Sequence, residues 1–275
     1  MNKKNFWLLI KYVVLFLGAV LVILPLIFVL ISSFKSNDEI FTSAFSLPKN
    51  INFKNYFTVF NSTYHLHTYF FNSIGYAVVV CSVGVLIDTM AAYAIGRMKW
   101  KFNKLILAFF LSGLMIPLHA ILVPLYVMVS RFSLPNQFAL QLLFIASTIP
   151  TSVFLIVSYL SQVPRAMEES AVIDGCSIPY LFVTIVIPLI KPAIATITIF
   201  NFRAVWNDLL LSLVFLNNES IQTLQLGISN FKGAYFSDYG LILAALVVSI
   251  IPSVIVFLFM SDKIVNGISA GAIKG

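Results

Sequence analysis

Long apolar runs separated by short polar stretches dominate this chain. Two of the apolar runs contain charge, with Asp88 in one and Arg203 and Asp208 in the other. The remaining runs have no Asp, Glu, Lys or Arg, and each exceeds the roughly 20 residues that a membrane-spanning helix needs. The pattern predicts an all-α integral membrane protein with six transmembrane helices near Tyr12–Phe34, Phe71–Ala94, Leu105–Ser130, Phe132–Pro164, Ala193–Leu216 and Tyr239–Ser261.

Composition supports this interpretation and excludes a soluble domain. Hydrophobic residues make up 60% of the chain, charged residues only 10%, and the mean hydropathy is +0.99, whereas soluble domains are about 25% charged. Since no stretch has the composition of a separate soluble domain, residues 1–275 are predicted to form one transmembrane domain. We expect a multi-pass protein of a bacterial plasma membrane.

The basic residues predict the orientation of the chain. The net charge of +7 could indicate nucleic acid binding, but the distribution of the charges favours a role in topology. If both termini are cytosolic, eleven of the 17 Lys and Arg residues lie inside and five outside, as the positive-inside rule requires. We therefore expect cytosolic termini and no nucleic acid partner.

The segment from Pro164 to Pro192 is a polar interruption between two very apolar stretches. Pro164 suits the first position of a helix, and Gly175 suits a left-handed helix stop. Ser177 is a favourable cap for a second helix, and Pro188 is expected to end that helix. The segment predicts a cytosolic helix-turn-helix between the fourth and fifth spans.

Residues 169–192 resemble the EAA loop of permease subunits from binding-protein-dependent ABC importers. That pattern reads Glu-Ala-Ala, two residues, Asp-Gly-Ala, then Phe, Ile, Pro and Pro. Ser170 and Cys176 stand where the pattern has Ala, and both are small enough to keep close packing possible. The matching residues are Glu169, Ala171, Asp174, Gly175, Phe182, Ile185, Pro188 and Pro192.

Three shorter stretches resemble carbohydrate permeases of the maltose type. They are AAYAIGR at 91–97, WND at 206–208 and GISAGAIKG at 267–275. The resemblance implies a subunit that imports a carbohydrate, either an oligosaccharide or a glycoside, without covalent chemistry of its own. It also implies a second, non-identical permease, two ATPase subunits and an external sugar-binding protein as partners. No phosphate-binding loop is present, so ATP and Mg would bind the partner ATPase and this chain would hold no cofactor.

The resemblance also assigns roles to individual residues. A coupling surface for the ATPase is expected at Glu168, Glu169, Ser170, Ala171, Asp174, Gly175, Cys176 and Pro188. A second contact with the ATPase is expected from the carboxyl-terminal tail, at Gly267, Gly271, Ala272 and Lys274. The tail's glycines predict that it has no fold of its own and becomes ordered where a partner holds it.

Charged residues within spans are costly and should face protein or water. One hypothesis places Arg203, Trp206, Asn207 and Asp208 along the translocation pathway, where planar donors and an aromatic face suit sugars. The alternative is that Arg203 and Asp208 pair with other helices and fix the packing. For Asp88 a structural role is favoured, because Thr89 is its only polar neighbour in sequence.

Other functions remain open at this point. The same importer architecture could carry peptide or polyamine, because EAA loops occur in those systems too. A secondary transporter or channel would need no ATPase. The three histidines, His65, His67 and His119, lack a carboxylate or thiol cluster at metal-ligand spacing, and no catalytic residues are identified.

Overall fold

The computed structural model describes the backbone of residues 3–61, 65–231 and 238–272, and the side chains in these ranges except Lys3, Lys4, Phe6 and 261–272. No β-strand occurs in these ranges, and the predicted all-α class is confirmed. The α-helices are α1 (Lys3–Ser32), α2 (Asn37–Thr42), α3 (Lys54–Phe60), α4 (Leu66–Val79), α5 (Val85–Arg97), α6 (Asn103–Ser112), α7 (Leu118–Arg131), α8 (Asn136–Leu160), α9 (Ala166–Ile173), α10 (Ile178–Leu181), α11 (Ile187–Leu189), α12 (Lys191–Trp206), α13 (Leu210–Phe215), α14 (Leu224–Ser229) and α15 (Tyr239–Ala272).

Four helical stretches in the described ranges are long and apolar enough to cross a membrane. They are Trp7–Ser32, Leu66–Arg97, Asn136–Leu160 and Tyr239–Met260. Two further stretches qualify only as bent pairs, Asn103–Met115 with Leu118–Arg131 at 104° and Ile178–Leu189 with Lys191–Trp206 at 80°. The number of spans reaches six only if each bent pair crosses the membrane once.

The two bends occur beside prolines. Pro117 precedes α7 in extended conformation, and a proline supplies no N–H to continue a helix, so the 104° bend lies there.

The predicted bounds of the fifth span, Ala193–Leu216, are wrong. Helix α12 ends at Trp206, and a separate helix, α13, begins at Leu210. The carboxylate of Asp208 accepts the N–H groups of Leu211 and Ser212 at the start of α13.

The first of two compact units consists of Met1–His67 and Gly227–Ile251. In this unit, the segment that follows α1 is held together by hydrogen bonds from side chains to the backbone. Lys35 is only 1% exposed, and its Nζ donates to the carbonyl oxygens of Ser43 and Ala44 at 3.0 and 2.9 Å. Asn55 donates to the carbonyl oxygens of Ser33 and Lys35. The segment after α1 therefore has an ordered polar interior at Lys35 and Asn55.

The second unit consists of Thr68–Leu226 and Pro252–Gly275. Helix α5 packs against α8 through small residues that allow close approach. A side chain at Gly84, just before α5, would meet Ile145 at 3.3 Å, and one at Gly96 would meet Leu160 and Val157 at 3.6 Å. Between these glycines Ala92 is fully buried. One hydrophobic core joins α5 and α8 to buried residues between 171 and 197. Helix α9 contributes Ala171 to this core.

Candidate functional site

The polar segment after α8 folds as two short helices joined by a tight turn. Helix α9 stops at Gly175, whose φ of +85° is the left-handed conformation that glycine adopts without a steric penalty. The N–H of Cys176 donates to the carbonyl of Ala171 at 3.0 Å, and that of Gly175 donates to Val172 at 3.1 Å. These two bonds form a Schellman motif, and the predicted left-handed stop is confirmed.

The bounds of the two helices differ from the prediction in detail. Helix α9 begins at Ala166, so Pro164 precedes it instead of occupying its first position. Ser177 precedes α10 in extended conformation, but its side chain makes no capping hydrogen bond. Pro188 does not end the second helix, because it lies within α11 and the chain turns only after Leu189.

Glu168 points inward from the first turn of α9. Its Oε1 lies 2.9 Å from Nε of Arg97, and the two side chains are only 12% and 6% exposed. By distance this is an ion pair, although the Nε–H of Arg97 is not aligned for a hydrogen bond. The other carboxylate oxygen, Oε2, accepts a hydrogen bond of 3.3 Å from the hydroxyl of Tyr93. Glu168 is therefore bound within the subunit.

Glu169 is exposed, one position further along α9. Several large apolar side chains around it are also exposed, with Ile173 85%, Tyr180 61%, Val172 56%, Ile178 56% and Met167 46% accessible. Ser170, Asp174 and Pro188 are exposed as well, whereas Ala171 is buried and Cys176 half-buried. The residues predicted to couple therefore divide into an outer surface and an inner set that comprises Glu168, Ala171 and Cys176.

Known proteins with similar sequences identify this architecture. Residues 88–268 match the family model described as "Binding-protein-dependent transport system inner membrane component". The chain belongs to this family. The permease is thus a multi-pass component of a bacterial inner membrane transport system, as predicted.

Two relatives align over nearly the whole permease. The multiple sugar-binding transport system permease protein MsmG of Streptococcus mutans is 35% identical, with 98% of this chain and 97% of the relative covered. The trehalose/maltose transport system permease protein MalG of Thermococcus litoralis is 33% identical over 97% and 98%. A chain from the crystal structure of a bacterial alginate ABC transporter superposes with a TM-score of 0.83 at 23% identity, over 95% and 98% of the two chains, and shows the same fold.

The four residues proposed for the pathway do not form one surface in the permease. Arg203 and Asn207 are exposed, and Asn207 donates to the carbonyl of Arg203 at 3.0 Å. Trp206 is 1% exposed, with its ring stacked on Phe202 at 5.4 Å and edge-on to Phe70 at 5.8 Å. Its ring therefore packs inside the subunit and presents no open face to a sugar. A pathway role remains a prediction for Arg203 and Asn207.

Asp208 is held by the helix that follows it. Its carboxylate accepts hydrogen bonds from the N–H groups of Leu211 and Ser212 and from the Ser212 hydroxyl, at 3.3, 2.9 and 2.9 Å. Three donors to one carboxylate explain its position without a partner on another helix. These contacts do not support the alternative in which Asp208 pairs with another helix, because its carboxylate caps α13 locally.

Asp88 is fully buried, and its polar partners come from distant parts of the sequence. Asn201 donates to Oδ2 of Asp88 at 3.3 Å, and Ser152 donates to Oδ1 of Asn201 at 3.5 Å. Three helices, α5, α8 and α12, contribute one residue each to this cluster. The structural role favoured for Asp88 agrees with these contacts. Sequence analysis missed Asn201 and Ser152, because they are far from Asp88 in the chain and only the folded structure brings them close to it.

The carboxyl-terminal residues Gly267, Gly271 and Ala272 belong to α15, which continues through Ala272. The sequence had suggested a tail without regular structure, but its backbone is helical to that residue. The side chains of 261–275 and the backbone of Lys274 lie outside the described residues. Contact of the tail with an ATPase therefore stays a prediction.

Arg97 and Tyr93 are the residues at this site that the sequence did not identify. Both belong to the AAYAIGR stretch at 91–97, and Arg97 is also one of the basic residues that predict the orientation, but neither was assigned a role of its own. They are four positions apart, so they share a face of α5, and that spacing was the available signal. Their partner Glu168 could be found only in the folded chain.

Proposed function

We propose that this chain is the permease subunit of an ATP-driven importer that moves a carbohydrate into the cytoplasm. Two relatives that align end to end carry "multiple sugar" and "trehalose/maltose" in their names. A third, from Streptomyces coelicolor, is a diacetylchitobiose uptake system permease protein, 32% identical over 96% of this chain. An oligosaccharide or glycoside is therefore the cargo that the relatives favour.

The proposed topology has six spans, with each bent helix pair crossing once and both termini in the cytosol. The basic residues at 97–104 then lie on the cytosolic side together with α9 and α10. Lysine and arginine are enriched in cytoplasmic loops, and this placement satisfies the bias. It places residues 169–192, which resemble the EAA loop, at the cytosolic end of the fifth span.

The outer surface of α9 and α10 carries the proposal. Five large apolar side chains are exposed there beside Glu169 and Asp174, in a segment that is anchored from within by Ala171 and Leu181. A cluster of exposed apolar residues in water indicates a surface for a protein partner. A charged group at the rim of such a surface adds specificity through a charge-assisted hydrogen bond. We assign this surface to the ATPase subunit.

The partners follow from this assignment. One permease supplies only one side of a cavity, so a second, non-identical permease would complete it. Two ATPase subunits would bind ATP and Mg and draw the two EAA loops together, which would rock the helix bundles between inward-facing and outward-facing states. An external sugar-binding protein would deliver the cargo. A related solved chain, with a TM-score of 0.68, comes from an alginate transporter in complex with an alginate-bound periplasmic protein.

The decisive experiment is purification of the tagged chain from its native membrane. Co-purification of an ATPase is expected, and its absence would favour a secondary transporter or channel. Uptake of a panel of labelled glycans by a deletion strain, with and without the restored gene, then identifies the cargo. Uptake of labelled peptide or polyamine that depends on the gene, with no effect on glycans, would favour the alternative cargo.

A further inference from the structure

Arg97 joins three helices at the place where α9 meets the spans. It is the last residue of α5, and its guanidinium is 6% exposed. Nη2 donates to the carbonyl oxygens of Leu160 and Val163 at 2.8 and 2.7 Å, which lie at the end of α8 and in the turn after it. Nε faces Glu168 of α9. One side chain thus holds the ends of two spans and the first turn of α9.

Tyr93 completes this joint from the same face of α5. Its hydroxyl binds the carboxylate oxygen of Glu168 that Arg97 leaves free. Its ring packs on Phe182, which follows α10, with centroids 5.3 Å apart. Both oxygens of Glu168 are therefore held by α5, and α10 is held by the same tyrosine.

Apart from this joint, α9 is held by its buried Ala171 and by Arg165 before it, whose Nη2 donates to the carbonyl oxygen of Gly96 at 3.5 Å. Five residues, 161–165, connect α8 to α9, and a link of that length allows a short helix to tilt. A helix of two turns is also unstable alone. The position of α9 relative to the spans therefore depends on contacts such as the buried Arg97–Glu168 pair, in which loss of one partner leaves an uncompensated charge.

We propose that Arg97, Tyr93 and Glu168 are positioning residues that make α9 move as one body with α5 and α8. A force applied by the ATPase at the exposed surface would then reach two spans directly. Without the joint, α9 would tilt on its linker and the ATPase would remain bound while transport fails. This inference rests on the proposed function of α9, but the joint itself can be tested without an ATPase.

The first test is hydrogen exchange of the backbone amides of residues 169–174, measured by mass spectrometry on the purified full chain together with any partners that co-purify. Glu168→Ala and Arg97→Lys should raise the exchange rate about tenfold or more, because local opening becomes easier. Lysine keeps the charge of Arg97 but lacks the planar set of donors that reaches all three acceptors. Lys99→Ala, at an exposed position in the loop after α5, should exchange like the wild type.

The second test compares glycan uptake with ATP hydrolysis in proteoliposomes. Glu168→Ala should lower uptake per ATP hydrolysed by about tenfold while the ATPase still co-purifies, since the outer surface is intact. Tyr93→Phe and Glu168→Gln, which each weaken the joint without removing it, should give smaller changes in the same direction. They keep the test decisive if Glu168→Ala does not reach the membrane.

Equal exchange in Glu168→Ala, Lys99→Ala and wild type would overturn the joint, and so would wild-type exchange and coupling in Arg97→Lys. Failure of the proposed function appears differently, because no ATPase would then co-purify even with the wild-type chain. Faster exchange in the Glu168 and Arg97 variants would still be seen in that case, since the joint lies within this chain.

Discussion

Asn201 donates a hydrogen bond of 3.3 Å to the fully buried carboxylate of Asp88, across 113 positions of sequence. The second oxygen of Asp88, Oδ1, is buried without a hydrogen-bond partner among the described residues. The pair therefore joins α5 to α12 through a buried polar contact.

Asn201→Ala should destabilise the permease by about 1–3 kcal/mol, because it leaves the Asp88 carboxylate without its donor. Ser152→Ala is the matched control and should cost less, since its contact with Asn201 is longer, at 3.5 Å. Asp88→Asn should be tolerated better than Asn201→Ala, because it removes the buried acid. Thermal unfolding of the detergent-solubilised protein measures all three, and equal midpoints for Asn201→Ala and the wild type would contradict the prediction.

Glu169→Lys should reduce co-purification of the ATPase by about tenfold, because it reverses a charge at the rim of the proposed interface. Glu169 is exposed, so the spans should insert as in the wild type, which a membrane fraction would verify. Lys101, exposed in the loop before α6, supplies the control variant Lys101→Glu. Undiminished ATPase binding and uptake in Glu169→Lys would remove Glu169 from the coupling surface.

Gly175→Val should destabilise the turn after α9 by about 1–3 kcal/mol through backbone strain. No atom lies within 4 Å of a Cβ built at Gly175, so the cost comes from the φ of +85° and not from a clash. Gly175→Asn should cost less, because asparagine tolerates left-handed conformations. Gly75→Ala is the control, as that glycine also has open space but lies within α4. If Gly175→Val and Gly175→Asn had identical uptake and identical thermal midpoints, backbone strain would not be the cause of the destabilisation.

Trp206→Ala and Arg203→Ala should separate stability from transport. Trp206 is 1% exposed, so its loss should cost about 3–5 kcal/mol of stability. Arg203 is exposed, so Arg203→Ala should shift the thermal midpoint as little as most surface substitutions do. If Arg203 lines the pathway, uptake by Arg203→Ala should fall while the complex assembles normally. Normal uptake in that variant would exclude it from the pathway.

Deletion of Ser269–Gly275 tests the tail. It removes the end of α15, which is helical through Ala272, along with the GISAGAIKG ending from its third residue onward. We expect coupled ATP hydrolysis and uptake to fall in a properly inserted protein. Deletion of 273–275 alone removes Lys274 but leaves the helix whole, so it should cause a smaller loss than the longer deletion. Full activity of the longer deletion would leave the tail as an unbound terminus.

The sequence by itself determined the class of the protein and the turn after α9. Long apolar runs need no tertiary information to predict spans, because each helix must bury its backbone polar groups internally in lipid. Gly175 predicted a left-handed stop for an equally local reason, the absence of a Cβ.

Only the tertiary structure decided which side chains face inward. Glu168 and Glu169 are equivalent in sequence, and their opposite roles depend on Tyr93 and Arg97, which lie about 70 residues earlier. The burial of Trp206 depends in the same way on Phe70. The sequence analysis missed the end of α12 at Trp206, because the carboxylate of Asp208 accepts backbone N–H groups that a continuous helix would use. Contacts between distant segments are not encoded in local periodicity, so these assignments required the packed spans.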